Sequence, residues 1–335
     1  MSDEKAPAKT PTKPVLKKKK QPAIRWLPTM KQVLYALVPL IAASVYFFGW
    51  RCLALLAVVS TAAYLIEYAF CRTWKEPVNS SVFVTAVLFT LALPPTLPFW
   101  MAVVGIVVGV TFGKMVFGGY GRNVFNPALV GRAFIYITFP VHMNSKWAEP
   151  VAGITGGFTT WAADALTRAT PMRITNSDTP VAWSRLLLGN VSGCLGETCA
   201  FFIILGGFYI VWKKAADYRI VVSGLTGMLF MQSVLWRIQV AGALHPLYAL
   251  LSGGFLLGLF FFATEPISAS RTPEGKWIYG AFIGIMTVVI RTFSAWGEGM
   301  MFAVLLANMF APICDIAIKE WKARKKAAAK TKEQA

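Results

Sequence analysis

Three sets of residues in this sequence have the types and spacing to do chemistry. The first is the strip "DALTRATPM", residues 164–172, polar and hydroxyl-rich within a chain of long apolar runs. Thr167 and Thr170 stand three apart, with Asp164 and Arg168 beside them and a proline directly after Thr170. Such a strip is either a loop with good turn chemistry or a hydroxyl to which a cofactor is attached. The second set is three carboxylates in apolar surroundings: Glu67 in "AYLIEYAFC", Glu265 in "ATEPISASR" and Asp315 in "MFAPICDIAIK". A carboxylate near hydrocarbon is costly, so each is a candidate ion ligand or proton carrier, with a solvated interfacial position as the alternative for Glu265 and Asp315. The third set lies in "FGGYGRNVFNPALVGRAF", residues 117–134. Its glycines allow close backbone approach, and Asn123 and Asn126 bring amides that donate and accept together, as reading the edge of a flat heteroaromatic ring requires. Arg132 suits a phosphate or an anionic ring. The spacing is not that of a P-loop and no strand precedes it, so a nucleotide fingerprint is not supported.

The elements that must position these residues are membrane helices. The chain has 335 residues, 56% apolar and 14% charged, and a mean hydropathy of +0.56. That composition belongs to polytopic membrane proteins, not soluble domains. The net charge of +18 sits mainly in the tails and short loops, so it is no nucleic-acid footprint. The opening "KAPAKTPTKPVLKKKK" reads as a disordered cytoplasmic tail without a cleavable signal. Clear apolar spans lie near 33–50, 52–71, 80–96, 99–117, 197–213, 219–237, 246–264 and 277–293. Two shorter ones, near 124–140 and 299–318, carry Asn and Pro and are expected to be broken or partly re-entrant. Ten crossings place both termini on one side.

Charge distribution agrees with that count. Arg72 and Lys75, Lys114 and Arg122, Lys213, Lys214 and Arg219, Arg271 and Lys276, and the C-terminal "KEWKARKKAAAKTK" follow the even-numbered spans, as expected for cytoplasmic loops. The segment 141–195, which contains DALTRATPM, then lies outside. An internal repeat is also visible: "PFWMAVVGIVVGVTFGKMVFGGYGRNVFNPALVGRAF" lies against "GKWIYGAFIGIMTVVIRTFSAWGEGMMFAVLLANMFAPICD". Five crossings per half invert the second copy, and inverted repeats place broken helices and their freed backbone groups near the midplane. The expected fold is therefore an all-α polytopic membrane protein of about ten transmembrane helices in two inverted five-helix repeats. Its parts are a basic tail (1–31), a first repeat (32–140), an outer loop (141–195), a second repeat (196–318) and a basic tail (319–335). The five cysteines, Cys194 and Cys199 included, form no CxxC and read as buried thiols, and His142 and His245 are too scattered for haem or a metal cage.

Several long stretches in fixed order carry a resemblance: "FVTAVLFTLALPPTLPFW", "KMVFGGYGRNVFNPALVGRAF", "GNVSGCLGETCAFFIILGG", "ATEPISASRTPEGKWIYGAFIG" and "GMMFAVLLANMFAPICD". Together they resemble the NqrB/RnfD family, which supplies a membrane subunit to the sodium-translocating NADH:quinone oxidoreductase and to the Rnf ferredoxin:NAD oxidoreductase, over about residues 31–320. The resemblance implies a multi-pass subunit of a bacterial inner-membrane complex that couples electron transfer to Na+ or H+ movement, with quinone or NAD as substrates of the whole. It implies covalent FMN on Thr170 through a phosphoester, with Asp164, Thr167 and Arg168 around it. Arg168 stands where the family pattern has glycine, and its guanidinium can pair with the flavin phosphate. It also implies a riboflavin near Asn123 and Asn126, with Phe134 and Tyr136 as stacking neighbours, and cation uptake by Glu67, Glu265 and Asp315. The stretch from Glu67 to Pro95 leans toward the quinone-reducing complex. Tyr64 stands where relatives have glycine and would crowd a quinone. A solute carrier or channel without redox activity would share the architecture and the buried acids, and would leave the 164–172 strip without a purpose. A scaffolding subunit would need none of the carboxylates.

Overall fold

The computed structural model describes residues 22–145, 147–163, 165–166, 183–294, 297 and 299–334. The described residues are all-α apart from two minimal strand pairs. β1 (Ile24–Arg25) runs parallel to β2 (Val78–Asn79), and β3 (Trp147–Ala148) antiparallel to β4 (Ala165–Leu166). Among the described residues five helices are long and apolar enough to cross a membrane: α1 (Pro28–Phe48), α2 (Arg51–Trp74), α9 (Tyr218–Arg237), α12 (Pro273–Phe293) and the apolar part of α13 (Gly299–Gln334). At 1.5 Å per residue, the 21 residues of α1 reach about the 30 Å of a hydrocarbon core. Between these lie shorter apolar helices: α3 (Ser81–Leu91), α4 (Phe99–Val110), α5 (Pro127–Thr138) and α8 (Ala200–Trp212). Tryptophans exposed at helix ends, among them Trp50, Trp74, Trp100, Trp212, Trp236 and Trp277, sit where an aromatic belt belongs.

The helix breaks fall at different places from those the apolar runs suggest. The stretch 80–96 is not a full span: α3 stops at Leu91, about 16 Å long, and the chain continues non-helically to Pro98. Pro94 and Pro95 explain this, since a proline disfavours the helical conformation of its predecessor and offers no N–H. The stretch 246–264 is likewise divided. α10 (Pro246–Leu251) ends at Ser252, and Gly253 with φ +70 turns the chain into α11 (Phe255–Leu257). α11 continues as a π-helical turn, Gly258–Phe262, before the non-helical segment 263–272. Conversely, 299–318 is unbroken: α13 runs through Pro312. The stretch 124–140 is shortened as expected, because the loop persists to Asn126 and α5 begins at Pro127.

Freed backbone groups at the breaks find partners. The Leu91 and Leu93 carbonyls accept from Gly196 N–H (2.7 Å) and Leu195 N–H (3.0 Å), and the Arg51 guanidinium donates to the Pro95 and Leu97 carbonyls. In the second half the equivalent service comes from Asp315, which takes the Arg271 and Thr272 N–H groups (2.8 and 3.0 Å). Irregular backbone survives at membrane depth only when satisfied in this way. The long helices pack through small residues. α12 lies along α9 with Gly280 and Gly284 against Gly224 and Gly227, and a Cβ at Gly284 would strike the Gly224 carbonyl.

The two remaining short helices, α6 (Pro140–Asn144) and α7 (Trp183–Leu188), belong to the connection between the halves. That connection is pinned to the first half. Trp50 and Arg51 N–H donate to the Thr160 and Trp161 carbonyls, and the β3–β4 pair aligns Trp147 with Leu166.

Candidate functional site

α2 and α4 hold the first polar centre. Beyond Val110, α4 widens into a π-helical turn, Thr111–Met115, a distortion that often marks function in an apolar helix. The turn presents Lys114, whose Nζ lies 2.6 Å from Glu67 Oε2, with both side chains 2% exposed. The same ammonium donates to Ser81 Oγ (2.8 Å), and Glu67 Oε1 accepts from Asn79 N–H (3.2 Å). A cavity of about 520 Å³ opens beside the pair, lined by Arg25, Cys71, Glu76, Asn79 and Tyr120. Lys114 is therefore not the loop charge that its place after the fourth apolar run suggests. Burial is possible because Glu67 neutralises it, and Glu67 in turn is a paired carboxylate, not an isolated one.

The second centre joins the halves where α5 begins. Asn123 Nδ2 donates to the Phe125 carbonyl (3.1 Å) and reaches Glu265 Oε1 at 3.4 Å, while Glu265 Oε2 accepts from Ser268 Oγ (3.0 Å). Asn126 caps α5: its Oδ1 accepts from Ala128 and Leu129 N–H, and its Nδ2 donates to the Phe262 carbonyl at the end of the π-helical turn. Asn308 of α13 completes the joint. In the amide orientation that satisfies its neighbours, it donates to the Ser268 carbonyl (3.3 Å) and Tyr279 Oη (2.7 Å) and accepts from Asn126 N–H (3.2 Å). A cleft alongside is lined by the polar side chains of Thr29, Ser81, Thr85, Asn126, Thr264 and Glu265 and by the apolar ones of Met30, Val33, Leu88 and Phe261.

Asp315 belongs to neither cluster. Its Oδ1 accepts from Ser270 Oγ (2.6 Å), Thr272 Oγ1 (2.6 Å) and Thr272 N–H, and its Oδ2 from Arg271 N–H. This is a carboxylate clamped on the 270–272 backbone. Nearby, Lys276 of α12 pairs with Asp217 Oδ2 (2.7 Å) in the connection before α9. Burial raises the Asp217 pKa, but the Lys276 hydrogen bond, the Arg219 N–H and both cations outweigh it, so its carboxyl titrates below the ordinary value. A depressed carboxylate pKa stabilises the fold above the unfolded value of about 3.9, and this stabilisation is lost as pH falls through the folded value. Asp217→Asn keeps an N-cap but loses the pair. The protein in detergent is then expected to unfold at a lower temperature than wild type above about pH 5, with the difference closing below about pH 4. Thermal unfolding across that range checks this.

The third centre lies midway along α5. Arg132 Nη2 reaches Glu197 Oε1 (3.4 Å) and Cys194 Sγ (3.3 Å). Arg132 and Glu197 line a cleft of about 60 Å³, together with Trp147, Ser252, Arg291 and Met300. Six residues, about 9 Å of helix, separate Arg132 from Asn126, so the two do not share a site. This corrects the grouping read from the 117–134 loop. Phe134 and Tyr136 also part: Phe134 is 36% exposed, while Tyr136 is buried edge-on to Phe302, with centroids 6.0 Å apart. Asp164, Thr167, Arg168 and Thr170 lie outside the described residues. Lys114, Glu197, Ser252 and Asn308 are the site residues that the sequence reading missed. The Glu-x-Cys of "GETC" drew attention only to its thiol, and a lysine at the end of an apolar run looks like a loop charge.

The model of the NQR2, RnfD, RnfE family matches residues 20–323. The NqrB-type subunit of the Na(+)-translocating NADH-quinone reductase of Haemophilus influenzae (strain PittEE) is 37% identical over 278 residues, 78% of this chain and 67% of that protein. The corresponding subunit of Yersinia pestis is 38% identical over 274 residues, 79% of this chain and 66% of the relative. That of Klebsiella pneumoniae subsp. pneumoniae is 40% identical over 267 residues, 74% and 62%. The chain thus spans about two thirds of the length of these curated relatives. On a match that extends through both halves of the bundle and the connection between them, the chain belongs to the NQR2, RnfD, RnfE family.

Proposed function

We propose that this chain is a flavin-bearing membrane subunit of a Na+-translocating NADH:quinone oxidoreductase complex, in which electron transfer is coupled to cation passage. The single observation that carries this reading is the β3–β4 pair. It sets Leu166, four residues before Thr170, against Trp147 at the wall of the Arg132 cleft. Four residues of extended chain cover at most about 14 Å, so a group esterified to Thr170 stays within reach of that cleft. The proposed attachment is FMN, through its phosphate, with Asp164, Thr167 and Arg168 as neighbours. The cleft suits such a group: Ser252 Oγ is buried in it and meets no hydrogen-bond partner among the described residues. A ligand atom that donates or accepts would satisfy it.

A second flavin, riboflavin, is proposed for the cleft at the start of α5. A flat ring there would meet both hydroxyl and apolar side chains of the lining. The hydroxyls of Thr29 and Thr85 in that lining, and Asn123 beside it through Glu265, are the groups proposed to read its edge, since Asn126 is committed to the helix cap and the Phe262 carbonyl. Bound flavins supply the redox chemistry; the protein fixes their spacing and surrounds their charge. We assign the end of the bundle that carries β1–β2 to the cytoplasm, together with both termini, and propose cation entry at Glu67, which accepts from Asn79 N–H of β2, and at Glu265. The 141–195 connection then faces outside. Other subunits of the complex, the lipid bilayer, and quinone and NAD as substrates of the whole complete the set of partners.

The purified complex tests this reading. Sodium-stimulated NADH-to-quinone electron transfer is the expected result, and ferredoxin-to-NAD activity in its place would assign the chain to the Rnf type. Solute transport by a preparation free of flavin would establish the carrier reading instead.

A further inference from the structure

The cleft on the far side of Arg132 has features that packing does not explain. Two arginines, Arg132 and Arg291, and one carboxylate, Glu197, line it, giving one net positive charge among the described lining residues. Arg132 and Glu197 are at most 8% exposed at their side chains. Arg291 is held by the Ala249 carbonyl (3.2 Å) and lies over the Phe255 ring. Between these cations the chain breaks at Ser252, so that its hydroxyl, in a residue 1% exposed, has no protein partner among the described residues. A buried hydroxyl left unmet is costly unless a ligand satisfies it. Apolar walls from Trp147 and Met300 complete a site for a flat ring with one polar edge.

We propose that this cleft is the berth of a flavin ring, that Arg132 and Arg291 raise its reduction potential by facing the edge that becomes anionic, and that Ser252 Oγ hydrogen-bonds to that edge. The proposal rests on the reading that the chain carries flavin and adds which residues tune it. Glu197 moderates the field: it holds Arg132 in place and cancels part of its charge. The reduced ring carries its negative charge at the N1 and C2 carbonyl edge, so buried cations there favour the reduced state, and a hydrogen bond to a charged group strengthens the preference. The 250–254 break is thereby assigned a purpose. Ser252 N–H closes the last turn of α10 on the Tyr248 carbonyl (2.9 Å), and the turn at Gly253 directly after it leaves Ser252 in the lining of the cleft.

The test is redox titration of the flavins in the purified complex, followed by their visible absorbance. Ser252→Ala is expected to lower the midpoint of one flavin and spare the others. A roughly tenfold fall in its reduced-to-oxidised ratio at fixed potential corresponds to about 30 mV for a two-electron couple. Ser252→Thr, which keeps the hydroxyl, is expected to restore it, and Glu197→Gln to move the same flavin upward. Repeating Ser252→Ala in a Thr170→Ala background separates two sources of the ring. Disappearance of the shifted component identifies the tethered flavin, and its persistence identifies a dissociable one in the same berth. Unchanged midpoints in both serine and glutamate variants, with flavin content intact, overturn the proposal while leaving flavin carriage standing. A preparation that contains no flavin overturns both.

Discussion

Thr170→Ala is expected to abolish covalent flavin on this chain. On a denaturing gel under ultraviolet light the wild-type band fluoresces and the variant band is dark, while staining shows both at equal amount. The effect is all-or-none because a phosphoester needs the hydroxyl oxygen, and neighbouring Thr167 lies three residues away, outside the register of the attachment pattern. Thr167→Ala serves as the contrasting variant and is expected to keep most of the fluorescence. Arg168→Ala addresses the cation that stands beside the proposed phosphate. Its loss is expected to leave the covalent yield and the fluorescence of the denatured band unchanged, because the phosphoester and not the proposed ion pair holds the flavin on the unfolded chain. Thr170→Ala removes only a side-chain hydroxyl, four residues beyond the β3–β4 pair, and is expected to leave the unfolding temperature within about a degree of wild type.

The second large effect is expected at Lys114. Replacing it with methionine removes the cation from a pair in which both side chains are 2% exposed and leaves Glu67 facing only the Asn79 N–H. Breaking a buried pair from one side costs about 3–5 kcal/mol, because the remaining charge is uncompensated. A membrane subunit with a comparable margin then fails to accumulate, and the expected readout is a strong drop in complex yield and in the temperature at which it dissociates. The double variant Lys114→Met with Glu67→Gln removes both charges and is expected to recover much of the loss. This separates the stability of the pair from any part in cation movement. If the double variant folds while sodium stimulation is lost, the pair belongs to the cation path. If stimulation survives, the pair is a structural staple between α2 and the π-helical turn of α4. A Lys114→Met complex as stable as wild type would show that the pair is hydrated and not buried.

Much of the architecture was legible in the sequence because lipid imposes a one-dimensional rule. Apolar runs of sufficient length must be helices, and the fixed order of broad motifs is specific. Long helices such as α1, α2, α9 and α12 follow directly from it. The half-helices do not, because hydropathy sees composition and not backbone geometry. The run 80–96 is uniformly apolar, and only Pro94 and Pro95 indicate that its second half leaves the helix. Ser252, Gly253 and Gly254 carry the same message in the second half, hidden inside an apolar run. Among the site residues, carboxylates in apolar surroundings and the paired asparagines stood out by type alone. Their partners did not. Glu67 lies 47 positions from Lys114, Glu265 142 from Asn123, and Glu197 65 from Arg132, separations that only the tertiary fold closes. Asp315 illustrates the opposite case, a residue whose type suggests ion binding but whose oxygens are taken up by backbone and hydroxyl donors of the 270–272 segment.

The most direct measurement is mass spectrometry of the tryptic peptide covering residues 169–173, isolated from native membranes. The account predicts that this peptide carries the mass of FMN attached at Thr170 and releases flavin on phosphoester cleavage. The same peptide recovered wholly unmodified, from a complex that is otherwise active and intact, would contradict it.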